Sequence, residues 1–94
     1  MKFMAICGSG LGSSFMVEMN IQDVLNDLGV TSVEVSHSDI SSASDNDADV
    51  FFLARDVAEN VSLDSSKIVV LDSIIDKEEL RDKVTKVVEE NNLI

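Results

Sequence analysis

Lys2-Phe3-Met4-Ala5-Ile6-Cys7-Gly8-Ser9-Gly10-Leu11-Gly12-Ser13-Ser14 decides the reading of this chain. A short apolar run stops abruptly at a cysteine and gives way to glycines in alternation with small polar residues. Beyond it Met16, Met19, Ile21, Val24, Leu25 and Leu28 recur at helical spacing. The stretch therefore predicts a strand over residues 2–6, a tight turn, and a helix. Gly29 falls where a glycine past the last turn would end that helix.

Outward from this unit the pattern repeats. Residues 31–36 alternate, with Val33 and Val35 on one face, as a half-buried edge strand does. Residues 36–49 are rich in Ser, Asp and Asn and predict a long polar connection with one short helix near Ile40 to Ala43. Val50-Phe51-Phe52-Leu53-Ala54 is continuously apolar, which suits a central strand buried on both faces. Residues 55–60 read as a short loop or a single helical turn, and residues 67–71 as the fourth strand. Asp76 and Glu79 have the spacing of a capping box, and Ile75 and Leu80 that of a hydrophobic staple. Leu80, Val84, Val87 and Val88 then form the buried stripe of a last helix.

The order β-α-β-α-β-α-β-α predicts an α/β fold with a four-stranded parallel sheet and helices on both faces. Right-handed crossovers favour the flavodoxin-like strand order 2-1-3-4. In that order ligands bind at the carboxyl ends of strands 1 and 3, where the winding reverses. Cys7 ends strand 1.

Composition bounds what such a domain does. Ninety-four residues with 45% hydrophobic content fit one domain, residues 1–94, with a buried core. No stretch approaches the ~18 consecutive apolar residues of a membrane span. The run before Cys7 is too short for a secretory h-region or a lipoprotein signal, so a cytoplasmic location is expected. One cysteine excludes an internal disulfide, a C-x-x-C redox pair and a usual cysteine-based zinc site. A net charge of −11 argues against nucleic acid and favours partners with a basic face.

The loop itself suits an anion. Its glycines permit positive φ and close backbone approach. Successive amides can turn inward as a nest, and a helix N-terminus adds unpaired N–H groups and a positive dipole end. Ser9, Ser13 and Ser14 add hydroxyl donors, and no residue of the loop is charged. The same setting favours a thiolate, since cysteines at helix N-termini can fall from a pKa of about 8.5 to roughly 3.5–7.5. A cysteine after an apolar strand is also often an inert core residue, and such a turn can serve only to pack a helix on a sheet. The flanking glycines and serines favour the functional reading.

Other loop chemistries fit less well. Gly8-Ser9-Gly10-Leu11-Gly12-Ser13 lacks the third glycine of a dinucleotide fingerprint, and no lysine stands between Lys2 and Lys67 to complete a nucleotide P-loop. Cysteine phosphatases, the low-molecular-weight tyrosine phosphatases among them, and related arsenate reductases share this topology but use C-x₅-R. Here the sixth residue after Cys7 is Ser13, and no Asp-Pro acid loop follows. A phosphothiol made without that arginine is carried and not rapidly hydrolysed. Besides a carrier, two classes remain: a non-catalytic domain that holds a phosphate or nucleotide, and a thiol hydrolase or reductase that has lost its arginine.

Cys7-Gly8-Ser9-Gly10-Leu11-Gly12-Ser13-Ser14, followed by Phe15-Met16-Val17-Glu18-Met19-Asn20, resembles the IIB components of the sugar phosphotransferase system. Its C-G-x-G-x-G-S-S form is similar to the ascorbate-type and galactitol-type branch, the ascorbate type above all. The resemblance implies that Cys7 accepts a phosphoryl group from phosphohistidine on a IIA protein or domain. It further implies transfer to a sugar held by a membrane IIC transporter, with no cofactor or metal. Gly8, Ser9, Gly10, Leu11, Gly12, Ser13 and Ser14 would hold the phosphoryl oxygens. Arg55, following strand 3, is a candidate phosphate or partner contact, or else a surface arginine paired with Asp56. His37, the only histidine, falls in a polar loop without such a cradle, which weighs against its carrying phosphate. Phe15 and Met16 read equally as a docking patch beside the loop or as core.

Overall fold

The computed structural model describes residues 1–7, 11–59, 61, 63–73 and 76–93, with Cys7, residues 11–14 and residue 65 described by backbone alone. At its centre lie β1 (Lys2–Cys7) and β3 (Val50–Ala54), paired in parallel with Phe3 opposite Val50 and Ile6 opposite Leu53. β2 (Glu34–Asp39) and β4 (Ile68–Leu71) flank them, so the order is β2-β1-β3-β4 with every pair parallel. This is the flavodoxin-like arrangement expected from the sequence.

Side chains alternate across the two central strands, as the pleat requires. Phe3, Ala5, Val50 and Phe52 face one layer, and Met4, Ile6, Phe51 and Leu53 the other. Phe3, Phe51 and Phe52 are fully buried, and the Phe3 and Phe52 rings meet at 5.4 Å and 55°. The first layer is covered by two long helices, α1 (Leu11–Leu28) and, last in the chain, α3 (Lys77–Glu90). The other layer is covered by the connections, including the single-turn α2 (Arg55–Ala58), whose Val57 and Ala58 pack there with Ile40, Val61 and Leu63. Helices thus lie on both faces, but unequally.

Several local expectations shift. Val17, Ile21, Val24 and Leu25 form the buried stripe of α1, whereas Met16 and Met19 are 37% and 52% exposed. At 100° per residue Met19 turns to the opposite side from Val17. Gly29 has φ +76° and closes α1, with its own amide on Asn26 O and the Val30 amide on Leu25 O, the paired bonds of a Schellman end.

β2 starts at Glu34 and runs on through Ser36, His37 and Ser38, three residues later than its alternation suggested. Pairing with β1 as far as Cys7 supplies ladder hydrogen bonds that polar side chains do not discourage at an edge. No α-helix forms at residues 40–43. A turn stands there, with the Ser42 and Ala43 amides both on Asp39 O, and a short 3₁₀ segment follows at Asp45–Asp47. Asp45 then joins the two crossovers, accepting from the Asp64 amide and from Lys67 Nζ.

The start of α3 is half as expected. Asp76 caps it, accepting from the Glu78 and Glu79 amides at 3.1 Å. Glu79 does not reach back to Asp76. It accepts instead from the Asp72 and Ser73 amides at 2.8 and 3.0 Å, fastening the end of β4 to α3. Ile75 of the expected staple lies outside the described residues, while Leu80 is buried.

Candidate functional site

The carboxyl ends of the four strands form one rim, and Cys7 stands at its middle as the last residue of β1. Gly8, Ser9 and Gly10 lie outside the described residues. α1 begins at Leu11, so the backbone of Leu11, Gly12, Ser13 and Ser14 makes its first turn. The first four amides of a helix have no partner within it and carry its positive dipole end. α1 has no acidic residue in that turn. Three residues therefore separate a strand-ending cysteine from a helix N-terminus whose own first turn carries no acidic side chain. Gly12 is helical, so the positive φ that its glycine would permit is not used there.

Neighbouring strands supply the surroundings. Asp39, last in β2, is the ladder partner of Cys7. Its Oδ1 accepts from the Ser42 amide at 2.8 Å and the Ser41 hydroxyl at 2.9 Å. Hydrogen bonding by Ser42 first, then Ser41, holds this carboxyl below the ordinary aspartate range. Sequence reasoning did not single out Asp39, although Asp-x-Ser-Ser after an alternating run is a turn signature.

Arg55 follows β3, where the sequence put it, and is paired with Asp72 at the end of β4 rather than with Asp56. Hydrogen bonding and charge from Asp72 raise its already high pKa. The guanidinium is well exposed and directed across the outer half of the rim. Lys83 completes this half, pairing with Glu79 at 3.2 Å and donating to Val70 O.

His37 sits in β2, opposite Ala5, and not in a loop. Its ring lies 5.6 Å from that of Phe15, and Nδ1 is 3.3 Å from Glu18 Oε2. Phe15 is 50% exposed, so Phe15, Met16 and Met19 form an apolar surface on α1 just past the loop, and the core alternative for the first two fails. A groove of about 640 Å³ between β4 and α3, bordered by Lys67, Lys83 and Lys86, opens beside Met1, Asp49 and Val50. Those residues mark the amino ends of β1 and β3, away from Cys7. Among the described residues no helix is long and apolar enough to cross a membrane.

The fold is similar to the solution structure of a low-molecular-weight protein tyrosine phosphatase from Bacillus subtilis. The TM-score is 0.62 at 12% identity, covering 98% of this chain and 99% of that one. At that identity the likeness speaks to fold alone. No curated protein matches the chain. A family model described as "PTS system, Lactose/Cellobiose specific IIB subunit" matches residues 2–90. That description names a different branch from the ascorbate and galactitol types suggested by the loop. The match spans the strand that ends at Cys7, the whole sheet and all of α3, and the chain belongs to the family of phosphotransferase-system IIB subunits.

Proposed function

We propose that this chain is the cysteine phosphocarrier of a sugar uptake system, with Cys7 as the phosphoryl acceptor and donor. The observation that carries the reading is the position of Cys7 at the carboxyl end of β1, followed by the N-terminus of α1, in a chain of the IIB family. A IIA protein or domain supplies the group from phosphohistidine, and a membrane IIC transporter presents the sugar. The carrier works in the cytoplasm as a single IIB-type domain.

Two in-line displacements make up the cycle. In the first, the Cys7 thiolate attacks phosphorus, an S–P bond forms, and the N–P bond breaks with its electrons passing to imidazole, which takes a proton from solvent. In the second, a sugar hydroxyl attacks the same phosphorus, and sulfur leaves as thiolate while the hydroxyl proton passes to solvent. Amides of Gly8, Ser9, Gly10, Leu11 and Gly12, with the hydroxyls of Ser9, Ser13 and Ser14, hold the equatorial oxygens. Such fixed donors stabilise charge as it develops without reorganising. The reading assigns no metal or cofactor. Phe15, Met16 and Met19 form the apolar part of the docking face, and Arg55 meets the partner at the rim or steadies the phosphoryl group.

For the transported compound, the C-G-x-G-x-G-S-S loop favours L-ascorbate. The description of the family model favours lactose or cellobiose as the second reading.

Mass spectrometry after incubation with a phosphorylated IIA tests the carrier. An acid-labile gain of one phosphoryl group on Cys7 is expected. Tight phosphate or nucleotide binding without a covalent adduct would overturn the reading in favour of a binding domain. Uptake by cells dependent on this chain, given ascorbate or cellobiose, separates the substrates.

A further inference from the structure

Cys7 and Asp39 are ladder partners and the last residues of β1 and β2. Partners in adjacent strands stand about 4.8 Å apart, so the two share one point on the rim. The aspartate is anchored there by the Ser42 amide and the Ser41 hydroxyl, and the chain turns on its carbonyl. Its carboxyl titrates below the ordinary range and is fully ionised at neutral pH.

The other charges near this point are placed differently. β1 carries only Lys2, at its opposite end. In α1 the first ionisable side chain is Glu18, which faces His37 of β2. Beyond β3, Arg55 is held by Asp72 from the end of β4, with Asp56 and Glu59 farther along. Among the described residues no cation pairs with Asp39. The cysteine thus has a fixed negative charge in direct register on one side and an engaged arginine on the other.

A carrier has a requirement that a binding protein lacks. Its cradle must accept a phosphoryl group and then let it go. Amides at a helix N-terminus stabilise a group bearing roughly −1.5 to −2 charges, and a nest of donors without opposition would store it. Resting on the carrier reading, we infer that Asp39 is a positioning residue that acts through Cys7. Its charge raises the energy of the phosphorylated cysteine relative to the free one and so promotes onward transfer. When the S–P bond breaks and the group leaves on the acceptor oxygen, at least one unit of negative charge departs from beside Asp39. That departure is the step the aspartate favours.

Asp39→Asn isolates the charge, because the amide oxygen still accepts from Ser41 and Ser42 while the net charge is lost. Asp39→Ala removes both. Two readouts are compared at low and high salt: the pH midpoint of Cys7 alkylation by iodoacetamide, and the share of phosphoryl group held by this chain at equilibrium with a IIA protein. For unit charges at this separation in a mostly aqueous setting, Asp39→Asn should raise the phosphorylated share by roughly three- to tenfold. It should also lower the thiol midpoint by roughly half a pH unit. Both shifts should shrink in salt, and release to the acceptor should slow. If wild type is phosphorylated and Asp39→Asn matches it in both readouts at low salt, the inference is overturned and Asp39 is only a turn former. If wild type takes no phosphoryl group, the carrier reading fails with it. The alkylation midpoint, which needs no phosphorylation, still reports whether the charge reaches the thiol.

Discussion

The two halves of the rim are built from similar residues to opposite ends. On the inner half, β1 and β2 close on Cys7 and Asp39, beside a helix whose own first turn carries no acidic residue. On the outer half, β3 and β4 close on Arg55 and Asp72. Glu79 and Lys83 of α3 then fasten the end of β4 through two amides, a carbonyl and an ion pair. Among the described residues Asp39 is held by its own turn and pairs with no cation, whereas the charges of the outer half are paired with one another. Binding a transient dianion requires groups without internal partners, whereas holding a strand end to a helix requires the reverse.

The sharpest way to break this comparison is at its two centres. Cys7→Ser should reduce phosphoryl transfer by on the order of a thousandfold or more and leave the denaturation midpoint unchanged. Phosphorylation assays and urea titration on the same sample check this. Transfer near the wild-type rate would remove Cys7 from the chemistry. Glu79→Ala should show the opposite profile. It leaves two amide donors at the end of β4 without their charged acceptor and should cost about 1–2 kcal/mol, with phosphorylation unaffected once the protein is folded.

A smaller effect sharpens the outer half. Hydrogen bonds from the Asp72 and Ser73 amides, aided by Lys83, hold the Glu79 carboxyl below its ordinary value of 4.5. A group depressed on folding stabilises fully above its unfolded value, and the contribution disappears as pH falls through the folded one. Stability of the wild type should therefore decline below about pH 4.5 more steeply than that of Glu79→Gln. Thermal melts across pH 3 to 6, about the span of that titration, test it, and parallel curves would remove Glu79 as the clamp.

The smallest effect belongs to Arg55. Its pair with Asp72 is exposed, and exposed pairs add little to stability. Arg55→Ala should leave the melting temperature unchanged. It should slow transfer from a IIA partner only a few-fold, chiefly at low salt, as loss of a rim charge does. A loss in transfer as large as that of Cys7→Ser would mean that the outer half belongs to the site and would dissolve the distinction between the halves.

How much was legible in the sequence divides along the same physical lines. β3 could be read residue for residue, because a strand buried on both faces is apolar throughout, as Val50 to Leu53 are. Gly29 was equally legible, since the left-handed turn at the end of α1 excludes most other residues. The strand end at Cys7 was legible as well, because the apolar run stops there. In each case a local requirement limits the residue type, and the sequence by itself determines the outcome.

β2 was misplaced by three residues because nothing local distinguishes Ser36-His37-Ser38-Asp39 from a loop. Those residues become a strand only because β1 offers a parallel edge as far as Cys7. Glu79 likewise had the spacing of a capping box, but the amides at the end of β4 claimed its carboxylate. Arg55 was placed correctly after β3, yet its partner is seventeen residues on, at a strand end that only the sheet brings near. Asp39 went unnoticed for the same reason. Whether a charge stands beside Cys7 depends on strand register, a relation between distant segments that no window of sequence contains. Burial and backbone conformation constrain a residue where it stands, so the chain records them directly. Pairing among polar groups exchanges partners at almost equal free energy, and only tertiary structure decides which partner each one keeps.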